Sequence, residues 1–342
     1  MQVPTTNASH DYLFARLRGM WANAVKGEAL QRLMNSGTTE NLVRDLRAFG
    51  VDASSRSAFH KNLLLREMKL LAAVRAQLDD ATARFYSALI NRVFYDEVKT
   101  ILHYYFFPEA KINIDYLLVE LPLLPTFPVE ALLKAPNVEA FIRLLPEVDP
   151  EDDLESIVRQ LDLDRDMMTA ECRIDRINFR NLLRMARRTP LNIRREAELA
   201  VRRNIDIINV TMLLRDVYLY HFKPEKMAGY WIHDGELLKP EELTALVAAD
   251  GDVKQTIQAL PRVFRELLEP FAAAELYLCE NVLWNYLHRY MHSLFRNYNR
   301  PALSIVAFPF LLRFETLNIG RVYEGVHFAI PPRDMHDMMI GV

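Results

Sequence analysis

Apolar residues recur at helical spacing along nearly the whole chain. From Leu63 to Phe94 they form one continuous stripe that neither Gly nor Pro interrupts. This pattern predicts one long amphipathic helix that continues toward Phe107 and ends before Pro108. A similar stretch from Glu266 to Asn299 predicts a second long helix. No alternating strand pattern of useful length competes with these, so we expect an all-α fold.

The helical stretches contain an internal repeat. The chain reads D-R-I-N-F-R-N-L-L-R from Asp175 and D-I-I-N-V-T-M-L-L-R from Asp206. On a helix the first, fourth and eighth positions of this motif share a face, where an acid and an amide can cross-link neighbouring helices by hydrogen bonds. Looser relatives begin at Asp96 and Glu315, 110 residues before Asp206 and 109 residues after it. The long spacing predicts three units.

A second recurring element supports three units. Each copy consists of a short helix, a capping residue and another short helix, and the predicted caps are Thr38 or Thr39, Asn137 and Asp252. The copies span Leu30–Gly50, Pro128–Pro146 and Pro240–Pro261. We predict units over residues 1–110, 111–220 and 221–342. Because one motif copy lies near the C-terminus, equivalent units require the C-terminal helix to complete the first one.

Composition excludes several classes of protein. The chain of 342 residues has 10 glycines, none between Gly50 and Gly229, and neither G-x-G-x-x-G nor the P-loop pattern occurs. The formal charge of −3 and two isolated cysteines favour a cytosolic protein that does not bind nucleic acid. The N-terminus lacks a signal-peptide pattern, and the longest uncharged apolar run, Pro301–Leu312, is too short to span a bilayer.

Charge is segregated in the middle of the chain. Residues 147–171 contain ten acids and two arginines, whereas residues 173–203 contain ten arginines and three acids. We favour pairing of the two stretches in neighbouring antiparallel helices. The alternative is that the arginines form a surface for anionic lipid, an acidic protein or nucleic acid.

His288 and His292 are the one candidate metal pair. They lie four residues apart on a predicted helix, with Glu280 two turns earlier, which is a spacing that metal ligands use. The zincin pattern H-E-x-x-H is absent, because Arg289 follows His288. We therefore favour ordinary helix-face histidines over a helical-bundle metalloenzyme.

The order of these segments resembles the C subunit of the prokaryotic V-type (A-type) rotary ATPases, the counterpart of the d subunit of the eukaryotic V-type ATPases. The opening Tyr12-Leu-Phe-Ala-Arg16 resembles the family's first helix, and Phe94-Tyr-Asp96 resembles the start of its second unit. Asp206 to Arg215 resembles the start of the third unit, and Glu315 to Arg321 resembles the closing helix. Departures are Lys99, where an amide is common, and His233-Asp234-Gly235, where a glycine-rich turn is more typical.

The resemblance implies a pseudo-threefold funnel of three helical units without catalytic, cofactor-binding or metal-binding residues. It implies one copy per complex, on the cytoplasmic side and peripheral to the membrane. There the protein would link the central-shaft subunits to the membrane rotor ring of proteolipid subunits during proton or sodium transport. A helical-repeat scaffold of the solenoid type is the alternative, although its repeats are usually about 33 to 47 residues long. The residues predicted to link helices are Tyr12, Arg16, Asp96, Asp175, Asn178, Asp206, Asn209, Arg215, Glu315, Asn318 and Arg321.

Overall fold

A computed structural model describes residues 10–51, 55–108, 118–119, 121–147, 149 and 151–342 of the chain. Within these ranges the protein contains helices and no strand, which confirms the all-α class. The first helices are α1 (His10–Ala22), α2 (Glu28–Met34), α3 (Thr39–Leu46), α4 (Arg56–Arg75) and α5 (Asp80–Phe106).

The single long helix expected from Leu63 toward Phe107 is wrong, because the chain reverses at residues 76–79 between α4 and α5. The turn needs neither Gly nor Pro. Asp79 caps the new helix by accepting hydrogen bonds from the backbone N–H groups of Ala81 and Thr82. Periodicity continues across the turn because both helices present an apolar face to the same core.

The middle of the chain forms α6 (Val129–Leu133), α7 (Val138–Leu144), α8 (Leu154–Asp164), α9 (Met167–Ala186) and α10 (Leu191–Arg215). The remainder forms α11 (Pro224–Ala228), α12 (Pro240–Ala248), α13 (Val253–Ala259), α14 (Arg262–Leu268), α15 (Leu276–Phe295), α16 (Leu303–His327) and α17 (Pro332–Asp337). The predicted caps Thr38, Asn137 and Asp252 are confirmed, since each side chain accepts a backbone N–H at the start of its helix.

The long helix expected over Glu266–Asn299 is also wrong, because the chain divides there into α14, a short 3₁₀ turn and α15. Pro270 lies in the 3₁₀ turn over Glu269–Phe271. Proline removes a backbone donor and disfavours helical continuation in the residue before it. The stretch therefore has two helices with a change of direction between them.

The six longest helices contact one another in a closed order: α4, α5, α9, α10, α15, α16 and again α4. Neighbours are antiparallel throughout, as side-chain contacts at two levels of each pair demonstrate. Tyr95 and Lys99 of α5 meet Asn181 and Asp175 of α9, respectively. The same reversal relates α10 to α15 and α16 to α4. The three tight turns α4–α5, α9–α10 and α15–α16 consequently lie at one end of the ring.

Helix α16 joins the two ends of the chain. It contacts α1, α2, α3 and α4 as well as α15 and α10. An open solenoid would separate its first and last helices, whereas α1 and α16 are in direct contact. By length and composition α16 alone among the described helices could cross a membrane, but 83% of its most apolar window is buried inside the protein. It is the central core helix of this fold.

Candidate functional site: a central cavity with a charged collar

The six long helices enclose a cavity of about 430 Å³ at the centre of the ring. Every one of them contributes side chains to its wall. Much of the wall is apolar, with the side chains of Leu71, Leu89, Phe179, Ile208, Trp284, Phe310 and Leu317. Such a concave apolar surface is suited to bury side chains of a partner.

Charged residues line the same cavity in equal numbers of each sign. The acids are Glu67, Asp96, Asp175 and Glu280, and the bases are Arg92, Arg215, Arg313 and Arg321. We call this set the charged collar. Because the signs balance, the collar creates local links between helices rather than a field of one sign.

Glu67 of α4 is the most buried carboxylate of the collar, with 2% of its surface exposed. It accepts hydrogen bonds from Arg92 of α5 at 3.2 Å and from Arg313 of α16 at 3.4 Å. One carboxylate therefore joins three helices of the ring. Removing it would leave two arginines without this partner in a largely apolar wall, which is costly.

The rest of the collar joins other neighbours. Lys99 of α5 contacts Asp175 of α9, and Arg215 of α10 donates to Glu280 of α15 at 2.7 Å. Arg321 of α16 donates to the Oδ1 of Asn281 in α15 at 3.2 Å. With the two bonds of Glu67, polar links cross every interface of the ring except that between α9 and α10.

Electrostatic coupling is visible at Asp175 and Lys99. Burial raises the pKa of Asp175, although the neighbouring Lys99 opposes that shift. Burial also disfavours the charged form of Lys99, but Asp175 and Asp96 outweigh burial and raise the lysine pKa above its ordinary value. Both groups thus remain partners at neutral pH.

The motif copy in α10 binds backbone rather than a neighbouring helix. Asn209 forms a pair of hydrogen bonds with Ile232, one to its carbonyl at 2.8 Å and one from its N–H at 2.9 Å. Asp206 accepts the N–H groups of residues 236, 237 and 238 at 3.0, 2.8 and 3.3 Å. Burial raises the pKa of Asp206 to about 6, against the opposing effect of these N–H groups.

A small residue is required beside Asp206. The backbone of Gly235 passes so close that an added Cβ would lie 2.1 Å from the Oδ1 of Asp206. The segment of residues 229–238 is also held from α9, where Arg176 donates to the carbonyls of Gly229 and Trp231. Two neighbouring helices thus fix one irregular segment.

The C-terminal helix α16 holds a second irregular segment in the same way. Asn318 donates to the carbonyl of Ile340 at 2.8 Å and accepts its N–H at 2.9 Å. Asn281 and Asn285 of α15 bind the backbone of residues 337–341 from the other side. Glu315 accepts both Arg66 of α4 and the N–H of Val25, so it connects α16 to the start of the chain.

The remaining predicted helix-linking residues have varied surroundings. Asp96 is half-exposed and contacts Arg92 and Lys99 at the cavity wall. Asn178 is buried beneath the same wall. Tyr12 and Arg16 lie on α1 and do not line the cavity. Composition and spacing did not identify the collar, and its one signal was charge within apolar helical runs, as at Arg313 in Phe310-Leu-Leu-Arg-Phe.

Acidic and basic stretches pair in part. Arg184 contacts both Asp149 and Glu151, and Arg180 lies 3.8 Å from Asp152. Among the described residues, however, Arg188 and Arg195 have no carboxylate partner. The pairing that we favoured therefore accounts for only some of the arginines.

The two candidate metal ligands stack on each other. The ring centroids of His288 and His292 are 5.9 Å apart, and His288 also packs against Gly341. Burial lowers the pKa of His288 to about 4. Within the part of the chain that the structure describes, no group of three or more His, Cys, Asp or Glu side chains could hold a metal ion.

Comparison with known proteins gives one family. A family model described as ATP synthase (C/AC39) subunit matches residues 13–338, which is nearly the whole chain. No curated protein matches the chain significantly.

Proposed function

This chain belongs to the ATP synthase (C/AC39) subunit family, and we propose that it is the non-catalytic central-stalk subunit of a V/A-type rotary ATPase. In this role one copy per complex lies on the cytoplasmic side of the membrane, peripheral to it. The protein joins the central-shaft subunits to the rotor ring of proteolipid subunits. It transmits torque for ATP-coupled proton or sodium transport and binds neither nucleic acid nor a cofactor.

The central cavity is the observation that carries this proposal. A coupling part needs a socket on its axis, and this cavity has walls from all six long helices. Its volume of about 430 Å³ admits only a few side chains, so it suits the tip of a shaft rather than a whole helix bundle. Apolar burial would supply most of the binding free energy, at about 25 cal/mol per Å².

The charged collar and the helix content suit a part that must resist twisting. Links at Glu67, Asp175, Glu280 and Asn281 tie each ring helix to at least one neighbour. Glycine is absent from residues 51–228, where it would add backbone freedom. A stiff ring transmits torque with little loss to bending.

Purification of the tagged chain from native membranes tests the assignment. We expect shaft and proteolipid subunits to co-purify with it, at one copy of this chain per complex, by quantitative mass spectrometry. Consistent absence of both sets of subunits would overturn the proposal.

A cavity variant tests the socket separately. Leu317→Arg places a charge in the apolar wall, and we expect it to lose the shaft subunits while the ring subunits still co-purify. Leu163→Arg is the matched control, because Leu163 is 80% exposed at the end of α8 and far from the cavity wall. If Leu317→Arg retains the shaft as well as the control does, the cavity is not the socket.

A further inference from the structure

The end of the ring that carries the three tight turns is unevenly charged. We define it by residues 76–79, 187–190 and 296–302. The α4–α5 turn is flanked by both signs, with Asp79 and Asp80 beside Arg75 and Arg84. By contrast, residues 176–195 and 281–314 contain no acid at all. The charge therefore concentrates at the other two turns.

These two basic turns are held together. Arg300 donates to Glu196 at 2.6 Å and to the carbonyl of Asn192 at 2.8 Å, which fixes the α15–α16 turn against the start of α10. Three exposed arginines nearby have no carboxylate partner among the described residues: Arg188, Arg195 and Arg296. We call these three the turn-end arginines. Neither the cavity nor the charged collar uses them.

Apolar side chains protrude beside the turn-end arginines. Leu191 is 81% exposed, and Tyr298 is 64% exposed. Tyr298 does not fold back into the core, because Arg18 of α1 lies over its ring at 4.6 Å. An exposed leucine and tyrosine among arginines are typical of a surface that meets the interface of a bilayer.

We propose that the turn-end arginines bind the phosphates of anionic lipid headgroups, with Leu191 and Tyr298 entering the interfacial region. This rests on the proposed position of the protein beside a membrane, and adds direct lipid contact to it. Guanidinium groups suit this ligand because they bind phosphate oxygens in bidentate fashion. A nucleic acid would need basic charge over a longer track, and the protruding leucine favours lipid.

Vesicle co-sedimentation of the purified chain tests the proposal. We expect binding to vesicles of phosphatidylcholine with about one third phosphatidylglycerol, weak binding to phosphatidylcholine alone, and loss of binding as salt rises. The variant R188E/R195E/R296E should bind the anionic vesicles at least roughly a hundredfold more weakly, since each basic residue contributes about fivefold. Its thermal unfolding should match wild type because all three side chains are exposed.

A matched control changes the same charge elsewhere. The variant R32E/R44E/R333E alters exposed arginines on α2, α3 and α17, which pack around the far half of α16. It should retain binding within about twofold. No binding of wild type to anionic vesicles, or equal losses in both variants, would overturn lipid contact. The co-purification result is independent of this assay, so lipid contact can fail while the rotary ATPase assignment stands, and the reverse.

Discussion

Two copies of one ten-residue motif lie on the neighbouring helices α9 and α10, and their surroundings are opposite. In α10, Asp206 and Asn209 are buried and hold the backbone of residues 232–238. In α9, Asp175 and Asn178 belong to the cavity wall, and Asp175 pairs with Lys99. Spacing in the sequence decides which residues share a helix face. The neighbouring helices decide what that face meets.

The closer counterpart of Asn209 lies 109 residues away rather than 31. Asn318 forms the same two hydrogen bonds with Ile340 that Asn209 forms with Ile232. The α9 copy resembles the α10 copy more closely in letters, but it binds no irregular segment. A repeat of contacts is therefore more informative about architecture than a repeat of residue types.

The largest difference should appear when each amide is removed. Asn209→Ala leaves the buried N–H and carbonyl of Ile232 without partners, and we expect it to lower the free energy of unfolding by about 2 to 4 kcal/mol. Asn178→Ala is the matched control and should cost less than about 1 kcal/mol, since it breaks no hydrogen bond with the described residues. Urea unfolding followed by circular dichroism measures both. Equal losses would mean that the two copies are structurally equivalent.

A somewhat smaller effect is expected at the distant counterpart. Asn318→Ala should lower the free energy of unfolding by about 1 to 3 kcal/mol, because Asn281 and Asn285 still hold the C-terminal segment from the other side. Hydrogen exchange should show lost protection at Ile340. If exchange at Ile340 matches wild type, the hydrogen bonds of Asn318 do not fix this segment.

Helix class and capping could be read from residue types, whereas the cavity could not. A cap such as Asn137 acts within four residues, so its signal is local. The turn after α4 was missed because Ala76 and Gln77 are both compatible with helix and only Asp79 marks the new start. The collar depends on which of several charged residues face inward. That is decided by contacts such as Arg313 with Glu67, which are 246 residues apart.

The buried carboxylate also predicts a pH dependence. The pKa of Asp206 is raised from 3.8 to about 6, so the folded protein binds a proton that the unfolded chain does not bind between these values. This group therefore stabilises the fold less as pH rises through that window. From pH 5 to pH 7 we expect it to reduce the free energy of unfolding by about 1 kcal/mol. Asp206→Asn should remove this contribution, as measured by urea unfolding at both pH values. An unchanged pH dependence in the variant would show that Asp206 keeps its charge throughout.

The smallest effect should be the ion pair of the α9 copy. Asp175 is about a third exposed at its side chain, with 35% of the surface accessible, so solvent weakens its attraction to Lys99. A double-mutant cycle of Lys99→Met and Asp175→Asn should give a coupling free energy of about 0.5 to 1 kcal/mol. A value above about 2 kcal/mol would place this pair among buried ion pairs, like that of Arg66 and Glu315. The cavity wall would then stabilise the ring as strongly as the buried motif does, and the contrast between the two copies would concern geometry alone.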